Sequence, residues 1–125
     1  MAEAKTILFI DDNPVDRTLV DRLLTKYDFN ILLAANAKDG MKIAEEQRPD
    51  LILLDILLPG ISGIEVCKRL KSKPLTAAIP VIFYTSIDTP KHLIDYTSYG
   101  AIDYVQKTTP SEILVRRIRY LLEVE

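Results

Sequence analysis

Three aspartates follow directly after two of the apolar runs in this sequence. Asp11 and Asp12 come after Phe9-Ile10, and Asp55 comes after Leu53-Leu54. If these runs are neighbouring strands, the three carboxylates meet at one place, where their mutual repulsion is costly unless a cation neutralises it. Oxygen ligands of this kind suit Mg²⁺ or Mn²⁺. The sequence therefore predicts a divalent-metal site at this point of the fold.

Two further polar side chains follow the next two apolar runs. Thr85 stands after Phe83-Tyr84, and Lys107 stands after Val105-Gln106. Each is ordinary by itself, since a lysine or threonine at a strand end is commonly a solvated charge or a cap. Together with the carboxylates, however, they supply a nucleophile, a metal site and donors for the transferring oxygens. Their combination favours the chemistry of phosphoryl transfer.

Five short runs rich in Ile, Val and Leu predict the strands that would position these residues. The middle runs are continuously apolar, which is typical of parallel strands covered on both faces. The strands are predicted over residues 7–10, 31–33, 51–54, 81–84 and 102–105.

Segments with a helical period separate these strands. They are predicted over residues 14–27 and 37–47 and from residues 62, 89 and 109. Asn13 before Pro14 is a good N-cap, and Ser62 and Thr109 each begin a capping-box spacing. The side chains expected to face the core are Val15, Leu19, Leu23 and Tyr27 in the first helix, Ile64, Val66 or Cys67, and Leu70 in the third, Leu93, Ile94 and Tyr96 in the fourth, and Ile113, Leu114, Ile118, Leu121 and Leu122 in the fifth.

The strict alternation of strand and helix predicts an α/β fold. Right-handed crossovers would place helices on both sides of one parallel sheet, giving a doubly wound, flavodoxin-like arrangement with strand order 2-1-3-4-5 and five helices. Ligands of such sheets bind at the carboxyl ends of the strands where the strand order reverses, here between strands one and three. We expect residues 1–125 to form one domain.

The bulk composition excludes several classes of protein. Of the 125 residues, 48% are hydrophobic and 27% are charged, which is ordinary for a globular domain. A net charge of −2 provides no field for binding nucleic acid or anionic lipid. The apolar runs are too short to span a membrane, no signal peptide is visible, and the lone Cys67 cannot form an internal disulfide. We expect a cytoplasmic protein whose partners are proteins.

The pattern resembles the receiver domain of two-component response regulators, and most closely the stand-alone, chemotaxis-regulator-like form. The resemblance covers essentially the whole chain. The residues that carry it are Ile7-Leu8-Phe9-Ile10-Asp11-Asp12-Asn13, Leu54-Asp55-Ile56 with Leu58-Pro59-Gly60 and Gly63, Pro80-Val81-Ile82 leading to Thr85, and Gly100-Ala101 leading to Asp103-Tyr104-Val105-Gln106-Lys107.

The resemblance implies a role for each matching residue. Asp55 would accept a phosphoryl group from a phosphohistidine on a sensor histidine kinase or phosphotransfer protein. Asp12, Asp55 and the main-chain carbonyl of Leu57 would bind Mg²⁺, with Asp11 acting through a water. Lys107 would pair with Asp55 and then with the phosphoryl oxygens.

The resemblance also implies how the signal would leave the site. Thr85 would hydrogen-bond the phosphate, and Tyr104 would turn between outward and inward rotamers. This movement would reshape the face made by the predicted fourth helix, the fifth strand and the predicted fifth helix. That face would control an output protein or form a homodimer. Beyond its own phosphorylation and dephosphorylation, the chain would not be an enzyme.

The sequence departs from the family pattern beside the acceptor. Leu57 and Ile87 are apolar where many relatives carry a polar or small residue, so we expect them to limit water access and prolong the life of the phosphoryl-aspartate. Thr108 replaces the proline that usually follows the lysine. Because a cis bond without proline costs about 3 kcal/mol, we expect a trans bond or strain there.

Two other functions use the same fold. An aspartyl-phosphate hydrolase would need a second acid two residues after Asp55, but position 57 is Leu. A phosphate-independent binding module, for example for flavin, would need a Gly/Ser/Thr-rich loop after the first strand. The chain has Asp11-Asp12-Asn13-Pro14 there, which would repel a phosphate.

Overall fold

A computed structural model describes residues 3–87 and 95–123 of the chain. In this part of the chain five parallel strands form one sheet, in the predicted order β2-β1-β3-β4-β5. The strands are β1 (Thr6–Ile10), β2 (Asn30–Ala34), β3 (Leu51–Leu54), β4 (Val81–Thr85) and β5 (Asp103–Gln106). The prediction for the last strand was shifted by one residue, because Ile102 precedes the strand and is exposed.

Four α-helices lie in the described residues: α1 (Pro14–Lys26), α2 (Ala37–Gln47), α3 (Gly63–Ser72) and α4 (Ser111–Leu122). The last is the predicted fifth helix. The predicted fourth helix, from residue 89 with Leu93 and Ile94, falls mainly outside the described residues. Tyr96, which was assigned to it, lies in a 3-10 helix, Tyr96–Tyr99.

The sheet has a hydrophobic core on each face, because successive side chains of a strand point to opposite sides. One core gathers the strand residues Leu8, Ile10, Ile52, Leu54, Val81 and Phe83 with side chains of α2 and α3. The other gathers Ile7, Phe9, Leu51, Leu53, Ile82 and Val105 with side chains of α1 and α4. Burial on both faces explains why these strands read as continuous apolar runs.

The buried face of α1 differs from the prediction. Val15 and Leu19 are exposed, whereas Val20 and Leu24 are buried, with Leu23 and Tyr27 at the margin of the core. Apolar residues occur on two adjoining faces of this helix, and the face carrying Val20 and Leu24, four residues apart, packs on the sheet. In α4, similarly, Val115 is buried beside Leu114 and Ile118, while Ile113 is only half-buried.

Asn13 and Ser62 are confirmed as N-cap residues, but the capping box predicted for Ser62 and Glu65 is not formed, because the Glu65 carboxylate pairs with Arg69. Asn13 Oδ1 accepts the backbone amides of Val15 and Asp16, and Ser62 Oγ accepts that of Ile64. The capping box predicted at Thr109 is wrong. Helix α4 begins after Pro110, a residue with no side-chain acceptor, and no side chain caps it.

Candidate metal and phosphoacceptor site

The register of β1 and β3 brings two aspartates to the same level of the sheet. Ile10 lies opposite Leu54, so the next residues, Asp11 and Asp55, leave the sheet side by side. The backbone continues the ladder there, because the amide of Asp55 donates to the Ile10 carbonyl at 3.0 Å. The sheet therefore fixes the first two acids of the site through its main chain.

The three predicted acids converge. Asp11, Asp12 and Asp55 each offer a carboxylate oxygen, and these oxygens lie within 4.8 Å of one another. Asp11 is 0% exposed and Asp55 3% exposed, whereas Asp12 reaches solvent. An all-oxygen donor set with one face open to water suits a hard divalent cation that keeps several waters.

The ammonium of Lys107 lies among three carboxylates. Its Nζ is 2.6 Å from Asp11 Oδ2, 2.6 Å from Asp16 Oδ2 and 3.0 Å from Asp55 Oδ2. Burial disfavours the charged lysine, but its hydrogen bonds to Asp16 and Asp55 and its ion pair with Asp11 outweigh burial and raise the pKa of Lys107. Burial raises the pKa of Asp11, and the neighbouring Asp55 charge adds to this, although the lysine and the Asn13 amide oppose it.

Backbone amides orient the two buried carboxylates. Asn13 N donates to Asp11 Oδ1 at 2.9 Å, and Leu57 N donates to Asp55 Oδ1 at 3.1 Å. Arg17 Nη1 also donates to the Asp11 carbonyl at 2.8 Å. Each buried acid thus has one oxygen bound to a backbone amide and the other facing Lys107.

Gly63 allows α3 to approach the backbone of Asp55. A Cβ at this position would lie 2.1 Å from the Asp55 carbonyl oxygen and 2.8 Å from Ile56 Cα. The Gly63 amide donates to the Ile56 carbonyl at 2.9 Å, which fixes the loop after β3. Only glycine leaves room for this contact without displacing β3, the strand that precedes Asp55.

The tips of β4 and β5 form a second, uncharged group. Thr85 is buried, and the Ile87 amide approaches its Oγ1 at 3.5 Å. The hydroxyl of Tyr104 donates to the Ile87 carbonyl, and Gln106 Nε2 donates to the same carbonyl at 3.3 Å. We call Thr85, Ile87, Tyr104 and Gln106 the β4–β5 rim.

We call Asp11, Asp12, Asp16, Asp55 and Lys107 the acidic rim. These residues line one cleft, together with Asn13, Pro14, Leu57 and Ser86. Leu57 is 54% exposed there, whereas Ile87 packs against the core on the α2/α3 side. The described peptide bonds, including the one before Thr108, are all trans, as expected without a proline.

Sequence reasoning missed Asp16 and the Ile87 carbonyl. Asp16 lies 91 residues from Lys107 in the chain. One signal could have found it, because it stands in the first turn of the helix that begins at this edge, shortly after Asp11 and Asp12. A backbone acceptor such as the Ile87 carbonyl has no sequence signal.

Comparison with known proteins identifies the family. Residues 7–119 match the response regulator receiver domain. The chain belongs to this family. It is 34% identical over 116 residues to protein PilH of Pseudomonas aeruginosa, covering 93% of this receiver domain and 96% of PilH.

Another relative is matched over only part of its length. The transcriptional regulatory protein AfsQ1 of Streptomyces coelicolor is 38% identical over 117 residues, which cover 94% of this chain and 51% of AfsQ1. This receiver domain therefore spans about half the length of AfsQ1. The crystal structure of the BeF3-activated N-terminal receiver domain of Klebsiella pneumoniae RstA superposes with a TM-score of 0.87 at 33% identity, covering 94% of this chain and 97% of that one.

The family to which the chain belongs has known general properties. Receiver domains bind Mg²⁺ at a cluster of aspartates and interact with histidine kinases and output domains. In this chain Asp11, Asp12 and Asp55 form a group of acids that could hold a metal ion. Within the described residues, no helix combines the length and the apolar character needed to span a bilayer.

Proposed function

We propose that this receiver domain, as one unit of residues 1–125, accepts a phosphoryl group on Asp55 from a phosphohistidine of a sensor histidine kinase or phosphotransfer protein. One observation carries the proposal. The Asp55 carboxylate stands nearly buried at a strand tip, 3.0 Å from the Lys107 ammonium and within 4.8 Å of two other aspartate oxygens. This arrangement supports the proposal, because a carboxylate beside a cation, and beside oxygens able to hold a second cation, is suited to act as the nucleophile.

Mg²⁺, or Mn²⁺ in its place, would be held by Asp12, Asp55 and the main-chain carbonyl of Leu57, with Asp11 acting through a water. When bound, the metal neutralises charge on the phosphoryl oxygens. The donor set supports this assignment, since it consists of oxygens only and Asp12 opens to solvent. The repulsion among the three acids, which Lys107 offsets only in part, provides the driving force for binding a further cation.

In the transfer step an Asp55 carboxylate oxygen forms a bond to phosphorus while the bond from phosphorus to the histidine nitrogen breaks. The nitrogen retains the electron pair of that bond. Lys107 shifts from the carboxylate to the new phosphoryl oxygens, which its hydrogen-bonding reach allows. Thr85 turns its hydroxyl to donate to one of them.

The switch arises because the phosphoryl group adds a charge of about −1.5 to −2 at the acidic rim. When Thr85 turns toward the phosphate, it leaves the Ile87 amide that now approaches it. Tyr104 and Gln106 both hold the Ile87 carbonyl, so the movement is passed to β5. We propose that the face of β5 and α4, together with the predicted fourth helix, changes in consequence.

We further propose that Leu57 and Ile87 limit water access to the phosphoryl-aspartate. Leu57 lines the cleft directly, and Ile87 belongs to the loop that Thr85 and Tyr104 hold. Replacement with polar residues, Leu57→Asn and Ile87→Glu, should accelerate loss of the phosphoryl group. An unchanged rate in both variants would contradict this role.

The face that changes on phosphorylation is also where we expect partners to bind. We propose that the domain works in the cytoplasm and acts on an output protein, or on a second copy of itself, through β5, α4 and the predicted fourth helix. Exposed apolar side chains of this face, Ile102 and Tyr120, support a protein contact. Its catalysis is confined to its own phosphorylation and dephosphorylation.

Incubation with acetyl phosphate and Mg²⁺, followed by intact-mass measurement, tests the proposal. The wild type should gain the mass of one phosphoryl group, and Asp55→Asn should gain none. The Asp39→Asn variant, which removes an acid from the first turn of another helix, should gain the same mass as the wild type. Steady phosphate release from added esters would instead indicate a hydrolase, and neither adduct nor release would indicate a binding module.

A further inference from the structure

Asp16 is a fourth acid at the acidic rim that the proposed transfer does not use. It lies in the first turn of α1, and its Oδ2 is 2.6 Å from Lys107 Nζ. Lys107 is farther from Asp55 Oδ2, at 3.0 Å. The lysine that must stabilise the phosphoryl group is therefore held most closely by other carboxylates.

We propose that Asp16 is a positioning residue that competes with phosphorylated Asp55 for the Lys107 ammonium and so weakens retention of the phosphoryl group. The inference rests on the proposed phosphoacceptor role of Asp55. Asp16 would shift the balance between the phosphorylated and the unphosphorylated protein without contacting the reacting atoms.

The geometry explains the competition. Asp11 and Asp55 start from neighbouring strand ends, so their positions relative to Lys107 are fixed by the sheet. Asp16 belongs to a separate element, and its side chain is 27% exposed, so it can turn toward water when the lysine leaves it. The cost of phosphorylation thus includes breaking or stretching one ion pair at α1.

Charge acts in the same direction. Every carboxylate near the cleft repels an incoming phosphoryl dianion, and only Lys107 among the rim residues offsets this. Removing the charge of Asp16 releases the lysine and lowers the repulsion together. Asp11 and Asp55 still hold the lysine in the cleft, so its position is retained.

The test compares binding of beryllofluoride, a phosphoryl mimic, by wild-type protein, Asp16→Asn and Asp39→Asn in the presence of Mg²⁺. The readout is the beryllofluoride concentration that gives half of the maximal rise in the melting temperature, measured by circular dichroism. Asp16→Asn should need about three- to ten-fold less beryllofluoride than the wild type. Asp39→Asn removes an equal charge in a first helical turn away from the cleft and should match the wild type.

Two further arms separate competition from a merely structural role. The difference between Asp16→Asn and the wild type should shrink as the salt concentration rises, because charges at a partly exposed site are screened. Asp16→Glu keeps the charge and should bind beryllofluoride about as weakly as the wild type.

The proposal is overturned if Asp16→Asn binds beryllofluoride no more tightly than the wild type, or if Asp16→Glu binds as tightly as Asp16→Asn. Failure of the phosphoacceptor role has a different signature. In that case the wild type itself would show no response to beryllofluoride, and Asp55→Asn would behave as the wild type does.

Discussion

The acidic rim and the β4–β5 rim adjoin at one edge of the sheet but are stabilised by different interactions. In the acidic rim, three of the four carboxyl groups, those of Asp11, Asp16 and Asp55, share a single ammonium, that of Lys107. In the β4–β5 rim, the side chains of Tyr104 and Gln106 donate to one backbone carbonyl, that of Ile87, and carry no charge.

This difference assigns the two rims different tasks. We expect the excess negative charge to make the acidic rim respond to a cation or to a phosphoryl group, because Coulomb interactions are strong where water is partly excluded. The β4–β5 rim should respond instead to a shift in the position of Ile87, since its hydrogen bonds converge on that loop residue. We propose that a charge change in the acidic rim reaches the β4–β5 rim through Thr85, whose carbonyl accepts the Lys107 amide at 2.9 Å and whose hydroxyl lies near the Ile87 amide.

The largest expected effect comes from filling the space beside the acceptor. Gly63→Ala places a Cβ 2.1 Å from the Asp55 carbonyl oxygen, and backbone atoms cannot move away as a flexible side chain could. We expect the free energy of unfolding to fall by about 3 kcal/mol, measured by urea denaturation. Gly60→Ala is the matched control, since its Cβ would meet nothing within 4 Å and only its positive φ opposes the change. It should cost about 1 kcal/mol.

Removal of the Lys107 ammonium, which several acids share, destabilises the acidic rim more selectively. Lys107→Met leaves Asp11 and Asp55 buried without their counter-charge, so unfolding should become easier by about 2–3 kcal/mol in the absence of divalent cations. Added Mg²⁺ should recover part of this loss. Lys73→Met removes a lysine from an exposed pair with Glu45 and should change stability by less than about 0.5 kcal/mol. Equal losses in the two variants would contradict the account.

The burial of Asp11 predicts that the stability of the protein changes with pH in a definite direction. Because burial raises the folded-state pKa of Asp11 above 3.8, the folded state binds its proton more tightly than the unfolded chain does. Stability from this group is therefore complete below pH 3.8 and is lost as the pH rises through the folded pKa. Asp11→Asn should stabilise the metal-free protein by about 1 kcal/mol near neutral pH. The gain should vanish in acid, and a gain independent of pH would contradict this cause.

The smallest effect is expected in the β4–β5 rim. Tyr104→Phe removes one of the two donors to the Ile87 carbonyl, while Gln106 keeps the other. The loss should be about 0.5 kcal/mol, because the carbonyl remains satisfied. Phosphoryl uptake from acetyl phosphate should be unchanged. A loss of uptake in this variant would show that Tyr104 contributes to accepting the phosphoryl group itself.

The sequence predicted the parts of the structure that local pattern controls. Apolar runs fixed the strands, and an aspartate directly after a run must stand at the carboxyl edge, so Asp11 and Asp55 could be placed together. The sequence could not predict which face of α1 is buried, because Leu19 and Val20 are apolar neighbours on adjoining faces. The role of Asp16 could not be predicted, because its partner Lys107 lies 91 residues away in the chain.

Calorimetric titration with Mg²⁺ measures directly whether acids from two neighbouring strand tips share one cation beside Asp55. The wild type should bind one Mg²⁺ per chain, and Asp12→Asn should bind it about ten-fold more weakly or worse. Asp39→Asn should bind it as the wild type does. Equal affinity in the wild type and Asp12→Asn would contradict the account.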